Sequence, residues 1–472
     1  MQQPTMPAPM IATSLPIAPR DYAKGVSTAP LSNFDPKAIS AFQFTYRSMQ
    51  PDGLVRLGYA LDDIEFEETL QLPAPRFRPR ALEELLDLLH WVAGVSYFKA
   101  AIPQHLVCET GAPPPAAERL LSALYSEGLG EFAVVNQLER LPHPQFPRGV
   151  HWDHPDAPRR LERVLVPVGG GKDSAVAIEI ARRSGLEVEL FSIGDALPIS
   201  ASANVAALPR HLVTRTIDPR LIEINAHGAL NGHVPITAIV SCVALVTAAT
   251  QGIDAVLMAN ERSASAGNFV WNGVEVNHQF SKSRRAERLL ADAAAEIEGA
   301  PQIFSVLRPA SELRIAKAFA LLPQYHGVFT SCNRVFQLNP DERLGSWCCD
   351  CDKCRFVFLI LAPFMSPEQL TEIFGADLLA DPGQYEGFAL LTATGGEKPF
   401  ECVGEVDECL AAISLLAAHP QWQEHVNVKR LAGEVLAQRP VSEAELTAHF
   451  ALSDDHDIPE ALIEPIREVL GA

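Results

Sequence analysis

The chain has no run of the roughly 18 uninterrupted apolar residues that a membrane span requires, although 47% of its 472 residues are hydrophobic. An integral membrane protein is therefore not expected. It is also short of cations: 38 Lys and Arg stand against 58 Asp and Glu, a formal charge of −20. Affinity for a polyanion comes mostly from Lys and Arg neutralising phosphates, so a broad nucleic-acid surface is disfavoured. Any anionic ligand would be small and held in a local pocket. No basic start leads into an apolar core at the beginning of the chain, and residues 1–36, rich in Pro, Ala and Ser, read as a disordered tail, not a signal peptide. A cytoplasmic location is expected. There is no internal repeat, and nothing in the sequence sets the oligomeric state.

What is present begins with two rhythms. "FQFTYR", "VRLGYAL" and "IEFEETLQL" alternate apolar and polar residues, with "QPDG" as a turn between the first two, which predicts a small antiparallel meander. Helical spacing follows at Leu82, Leu85, Leu86 and Leu89, so residues 37–158 are expected to form an N-terminal α+β module. Within its closing linker, "HWDH" at 151–154 looks like a metal site on paper but reads as surface.

From Leu161 the pattern becomes strand then helix, with helices expected at 173–184, 198–207, 236–250, 282–298 and 311–321. Repeated βα units imply a parallel sheet covered on both faces, whose ligands sit beyond the carboxyl ends of the strands. Residues 159–365 are read as this nucleotide-binding α/β domain and 366–472 as a mainly helical region. I

n "VLVPVGGGKDS" three glycines lie between an expected strand and helix. Lys172 is followed by Asp173, not by the Ser or Thr of a Walker loop, and Ser174 stands where a dinucleotide fingerprint needs glycine. The stretch resembles the S-G-G-x-D-S loop of the ATP pyrophosphatase (PP-loop) superfamily, with Gly169 in place of the first Ser. Gly169, Gly170 and Gly171 would let backbone amides close on phosphate oxygens, Lys172 and Ser174 would add charge and a hydroxyl, and Asp173 would serve Mg²⁺. Ser192 and Gly194, ending the next strand, would lie under the adenosine of ATP. A structural turn is the plain alternative.

Nine cysteines are present, five of them between Cys332 and Cys354, which suits metal binding better than a disulfide framework. Cys332, then Cys348, Cys351 and Cys354, could make a closed four-thiolate site, with Cys349 left over. Structural Zn²⁺ is favoured, with an iron–sulfur cluster as the rival.

Together "VAGVSYFKAA", "VGGGKDS", "MANERSASAGNFVWNGVEVNHQFSKS", "VLRPASELRIAKAF", "TSCNRVF" and "WCCDCDKCRFVFLILAPF" resemble the UDP-N-acetylmuramoyl-L-alanyl-L-glutamate epimerases. The resemblance implies inversion of the terminal L-glutamate of UDP-N-acetylmuramoyl-L-Ala-L-Glu through an acyl-adenylate, with ATP becoming AMP and pyrophosphate. In that setting Lys172, Asp173, Glu261 and His278 are the candidate catalytic residues, and Arg262, Lys282 and Arg308 could hold substrate carboxylates or the diphosphate. Two other readings stay open: an adenylating enzyme making an amide, nitrile or thiolated base, and a nucleotide-binding scaffold without turnover.

Overall fold

The computed structural model describes residues 34–150, 160–337, 343–394, 396, 398–399, 401 and 403–471. Most of the expected tail and the "HWDH" stretch lie outside the described residues, while Phe34 is buried against the core.

Among the described residues nine strands form one sheet in the order β11-β8-β5-β6-β7-β3-β2-β1-β4. They are β1 (Ala41–Met49), β2 (Leu54–Leu61), β3 (Ile64–Gln71), β4 (His105–Cys108), β5 (Arg163–Pro167), β6 (Glu187–Ile193), β7 (Arg210–Thr216), β8 (Ala255–Met258) and β11 (Gln302–Ser305). A separate hairpin pairs β9 (Phe269–Trp271) with β10 (Val274–Val276). From β11 to β7 every pairing is parallel; β7–β3, β3–β2 and β2–β1 are antiparallel, and β4 adds a parallel edge to β1. The architecture is mixed α/β with a mostly parallel central sheet.

In the parallel half the chain runs outward from β5 through β6 to β7, then returns to the other side of β5 to lay down β8 and β11. The order therefore reverses between β5 and β8. In open α/β sheets the crevice at such a reversal is where ligands bind. The glycine loop leaves β5 at this place.

Both sheet faces are covered, which is why the central strands are apolar on both sides. Val164, Val166, Leu190 and Leu257 face a core shared with the C-terminal helices, among them Val406–Ala417. Leu165, Phe191 and Val256 face a second core, shared with Leu82–Ala93 and Ile236–Gln251. The expected meander is present, but its last strand is hydrogen-bonded to β7, so meander and parallel strands are one continuous sheet. Helices Lys172–Arg183, Leu197–Ala206, Ile236–Gln251 and Glu312–Ala320 match their expected positions closely. The helix expected at 282–298 is shorter, Arg284–Ala295, because the Ser283 hydroxyl accepts from the Ala286 amide and fixes its start. The short helix Pro219–Ala226, the strand β4 and the β9–β10 hairpin were not anticipated.

At the seam between the halves, Arg215 on β7 donates through Nε and Nη2 to the two carboxylate oxygens of Glu68 on β3, at 2.7 and 3.0 Å. Glu68 is fully buried and the Arg215 side chain nearly so. Removing one member of such a pair strands the other charge without solvent. Glu68→Ala is expected to cost about 3–5 kcal/mol, measured as a lowered urea midpoint; a loss below about 1 kcal/mol, the worth of an exposed pair, would contradict this role.

Candidate active site

The loop after β5 is shaped by its glycines. Gly170 has φ +79°, and a Cβ there would lie 2.8 Å from the Pro198 carbonyl carbon and 2.9 Å from the Ile199 nitrogen. On Gly171 a Cβ would come within 2.9 Å of Ser331 Oγ, whereas on Gly169 it would meet nothing within 4 Å. One side of the loop is thus pressed against protein and the other is open. The Thr330 amide donates to Gly170 O (2.9 Å), so the segment leading into Cys332 is tied to the loop. The helix Lys172–Arg183 starts at once, and Ser174 Oγ donates back to Gly171 O (2.9 Å). At the end of β6, Ser192 Oγ is buried without a hydrogen-bond partner among the described residues, and Gly194 has φ +75° with open space where a side chain would stand.

Lys172 does not point into solvent. Its ammonium is buried and donates to both Asp173 and Glu312. Glu261, at the end of β8, brings a third carboxylate: oxygens of Asp173, Glu261 and Glu312 all lie within 4.8 Å of one another. Burial disfavours the Lys172 ammonium, but Asp173 and Glu312 more than offset it and hold its pKa above the usual lysine range. Burial would likewise raise Asp173, yet Lys172 overrides it and the pKa falls. Glu312 goes the other way, raised by burial to about 7 despite Lys172, with Asp173 and Glu261 adding to the rise. Three carboxylates share one cation, and between Asp173 and Glu312 it is Glu312 that resists ionising.

Glu312 was missed in the sequence, where Ser311 and Glu312 read as the ordinary start of a helix; Ser311 does accept from the Arg314 amide. Also missed was Glu408, from the helix Val406–Ala417, whose Oε1 accepts from the Glu312 amide (2.7 Å) and from Ser263 Oγ (2.8 Å). Arg308, expected to hold substrate, is otherwise employed. It is buried, pairs with Glu287 (2.8 Å) and donates to the carbonyls of Glu261 and Lys282, clamping the two ends of the segment that carries the site. Arg262 Nη1 reaches the Ala451 carbonyl (3.3 Å), and Lys282 Nζ donates to Gln279 Oε1 (3.3 Å).

His278 is not alone. Its Nδ1 is hydrogen-bonded to Glu131, His233 Nδ1 lies 3.9 Å from the same carboxylate, and the imidazole centroids are 4.4 Å apart. Burial, then the neighbouring His278, pushes the His233 pKa down to about 4. Asn268 Oδ1 accepts from the His278 amide (2.8 Å), fixing the residue after the β9–β10 hairpin. Glu131 and His233 come from distant segments and carried no sequence signal.

The thiols of Cys332, Cys348, Cys351 and Cys354 lie within 4.8 Å of one another, with Cys348 to Cys354 at 3.7 Å and Cys351 to Cys354 at 3.4 Å. Cys349 turns away, with φ +57°, and its thiol donates to the Phe374 carbonyl (3.1 Å).

A cavity of about 460 Å³ is lined by Asn268, which holds the His278 amide, and by Phe269, Lys398, Glu405, Asp407 and Arg439 among others. It lies between the hairpin and the C-terminal helices. Residues 33–306 match the MurL N-terminal domain and residues 328–446 the MurL C-terminal domain. The chain belongs to the MurL epimerase family. A relative from Micromonospora is 44% identical over 436 residues, covering 88% of this chain and 92% of the relative. Relatives from Salinispora tropica (43%; 86% and 88% covered) and Xanthomonas oryzae pv. oryzae (38%; 93% and 99% covered) are similar across comparable spans. All three are named UDP-N-acetyl-alpha-D-muramoyl-L-alanyl-L-glutamate epimerase. The two MurL segments between them hold the glycine loop, Glu261, the histidine pair, the four thiols and the cavity wall, while Glu312 falls between them.

Burial, followed by the nearby Glu408 carboxylate, raises Glu405 from 4.5 to about 7. Its folded pKa thus exceeds its unfolded one, so its contribution to stability is whole below the unfolded value and is lost as pH rises through about 7. Glu405→Gln is expected to flatten the fall in urea midpoint between pH 5 and 8; an unchanged pH profile would contradict the raised pKa.

Proposed function

We propose that this chain carries out the reaction in its relatives' name, inverting the terminal L-glutamate of UDP-N-acetylmuramoyl-L-Ala-L-Glu to D-glutamate for peptidoglycan precursor synthesis. On this reading the inversion is driven by ATP through an acyl-adenylate, and the parallel half of the sheet is a PP-loop domain. An α-hydrogen beside a free carboxylate is hard to remove, because the resulting carbanion would carry a second negative charge. Esterifying that carboxylate to AMP neutralises it and gives the electrons an acyl carbonyl to enter.

The observation that carries this reading is the open side of the glycine loop, with Lys172 and its three carboxylates at the sheet's reversal point. Amides of Gly169–Gly171 and the positive end of the helix Lys172–Arg183 suit the departing pyrophosphate. Ser192, buried and unpartnered, and the open Gly194 suit the adenosine. Asp173, Glu261 and Glu312 suit Mg²⁺, since three crowded carboxylates and one ammonium leave excess negative charge that a divalent cation relieves. Bound there, it would neutralise charge on the phosphates. Substrate carboxylates or the diphosphate would meet Lys282 and Arg262; Arg308 supports these segments from below. His278, hydrogen-bonded through Nδ1 to Glu131, suits a proton carrier.

The four thiols suit structural Zn²⁺: a tetrahedron with metal–sulfur bonds of about 2.3 Å has edges of about 3.8 Å, close to the 3.4 and 3.7 Å measured here. Such a centre would brace the Thr330–Cys332 segment against the glycine loop. A UDP-linked peptidoglycan precursor as substrate supports a cytoplasmic location.

The test is incubation with ATP, Mg²⁺ and the dipeptidyl sugar nucleotide in D₂O. D-glutamate, α-deuterium and AMP should appear together, and Asp173→Ala should reduce all three by about 100-fold or more. AMP without label or inversion would instead favour another adenylating enzyme, and no AMP a non-catalytic scaffold. For the thiol site, elemental analysis should find one zinc per chain, lost in Cys354→Ser and kept in Cys349→Ser; iron with sulfide, or equal loss in both variants, would overturn that assignment.

A further inference from the structure

A two-base epimerisation uses one proton carrier for each face of the α-carbon, and on the reading above His278 is the candidate for one. A candidate for the second stands in the wall of the 460 Å³ cavity. Lys398 lines it together with Glu405, and as a residue Lys398 is 9% exposed. Among the described residues its amine makes no hydrogen bond or ion pair, in contrast to Lys172, which is gripped by two carboxylates. Glu408, which fixes the amide of Glu312, lies on the same helix whose first turn borders the cavity. On the other side, Asn268 joins the two candidate carriers: its Oδ1 accepts from the His278 amide (2.8 Å) and its Nδ2 donates to the Pro399 carbonyl (3.1 Å), next to Lys398.

We propose that Lys398 is the base that removes the α-proton of the activated L-glutamate, with His278 returning a proton to the opposite face. This rests on the adenylation reading above. The Lys398 lone pair takes the proton as the C–H electrons move into the acyl carbonyl. The imidazolium of His278 then delivers its proton to the α-carbon, and exchange with solvent resets both groups. Burial supports the assignment, because it lowers the Lys398 pKa against the opposing pull of nearby acids, including Cys409, Glu405, Glu408 and Glu312, and so increases the amine fraction. Glu131 is hydrogen-bonded to His278 Nδ1 and orients the ring.

A base on one face predicts a one-sided defect. Lys398→Met, given ATP in D₂O, should lose α-deuterium uptake from the L-epimer by at least about 100-fold. It should keep substrate-dependent exchange of pyrophosphate into ATP, and it should still exchange the α-hydrogen of the D-epimer, for which His278 is the base. Lys398→Arg should not rescue, whereas it would if only a positive charge were needed. Uptake from the L-epimer within a few-fold of the wild type, equal loss with both epimers, or rescue by arginine would each overturn the proposal. Lost pyrophosphate exchange in the variant would move Lys398 into activation and also overturn it. Absence of that exchange in the wild type would instead sink the adenylation reading itself.

Discussion

The site depends on a buried ammonium. Lys172 is almost fully enclosed at the start of the helix that follows the glycine loop, in contact with Asp173 and Glu312. Taking an ion of this size out of water costs several kcal/mol even after relaxation, so the lysine can stay charged only while anions surround it. The converse also holds: crowding Asp173, Glu261 and Glu312 within 4.8 Å of one another costs less with a cation among them. Lysine and carboxylates therefore form one electrostatic unit. Its excess of negative charge makes it receptive to a further cation, and the loop beside it is receptive to an anion.

Several remote parts of the chain are used to hold this unit. Arg308 clamps the carbonyls at both ends of the segment from Glu261 to Lys282. Glu408, from the C-terminal region, fixes the amide of Glu312 and the hydroxyl of Ser263. The segment leading into Cys332 is bonded to Gly170. The thiol cluster and the C-terminal helices thus act on the glycine loop through short chains of contacts. That connection gives a physical reason for two separately matched segments to work as one protein.

Much of this was legible because local patterns carry it. Alternation revealed the meander, and the strand–helix rhythm placed β5, the glycine loop and its helix; the spacing of four cysteines singled out the set that converges, with Cys349 apart. What was not legible depends on contacts between distant residues. Glu312 looks like any acidic residue after a serine cap, and Glu408 and Glu131 look like solvated helix acids until the fold brings them inward. Arg308 shows a different limit: arginine suits carboxylates and phosphates, and the sequence did not reveal that its donors meet Glu287 and two carbonyls. The meander looked separable, but the β3–β7 pairing, the buried Arg215–Glu68 contact and a shared core, all made between residues far apart in the chain, join it to the rest.

If the charged pocket around Lys172 serves the joining of a substrate carboxylate to AMP, as proposed, the fate of that carboxylate's oxygen reveals it. With ¹⁸O in the glutamate α-carboxylate, water cleaving an acyl-adenylate at the acyl carbon leaves one heavy oxygen on the phosphorus, so labelled AMP is expected. Unlabelled AMP, formed while the glutamate keeps both heavy oxygens through inversion, would rule the adenylate out.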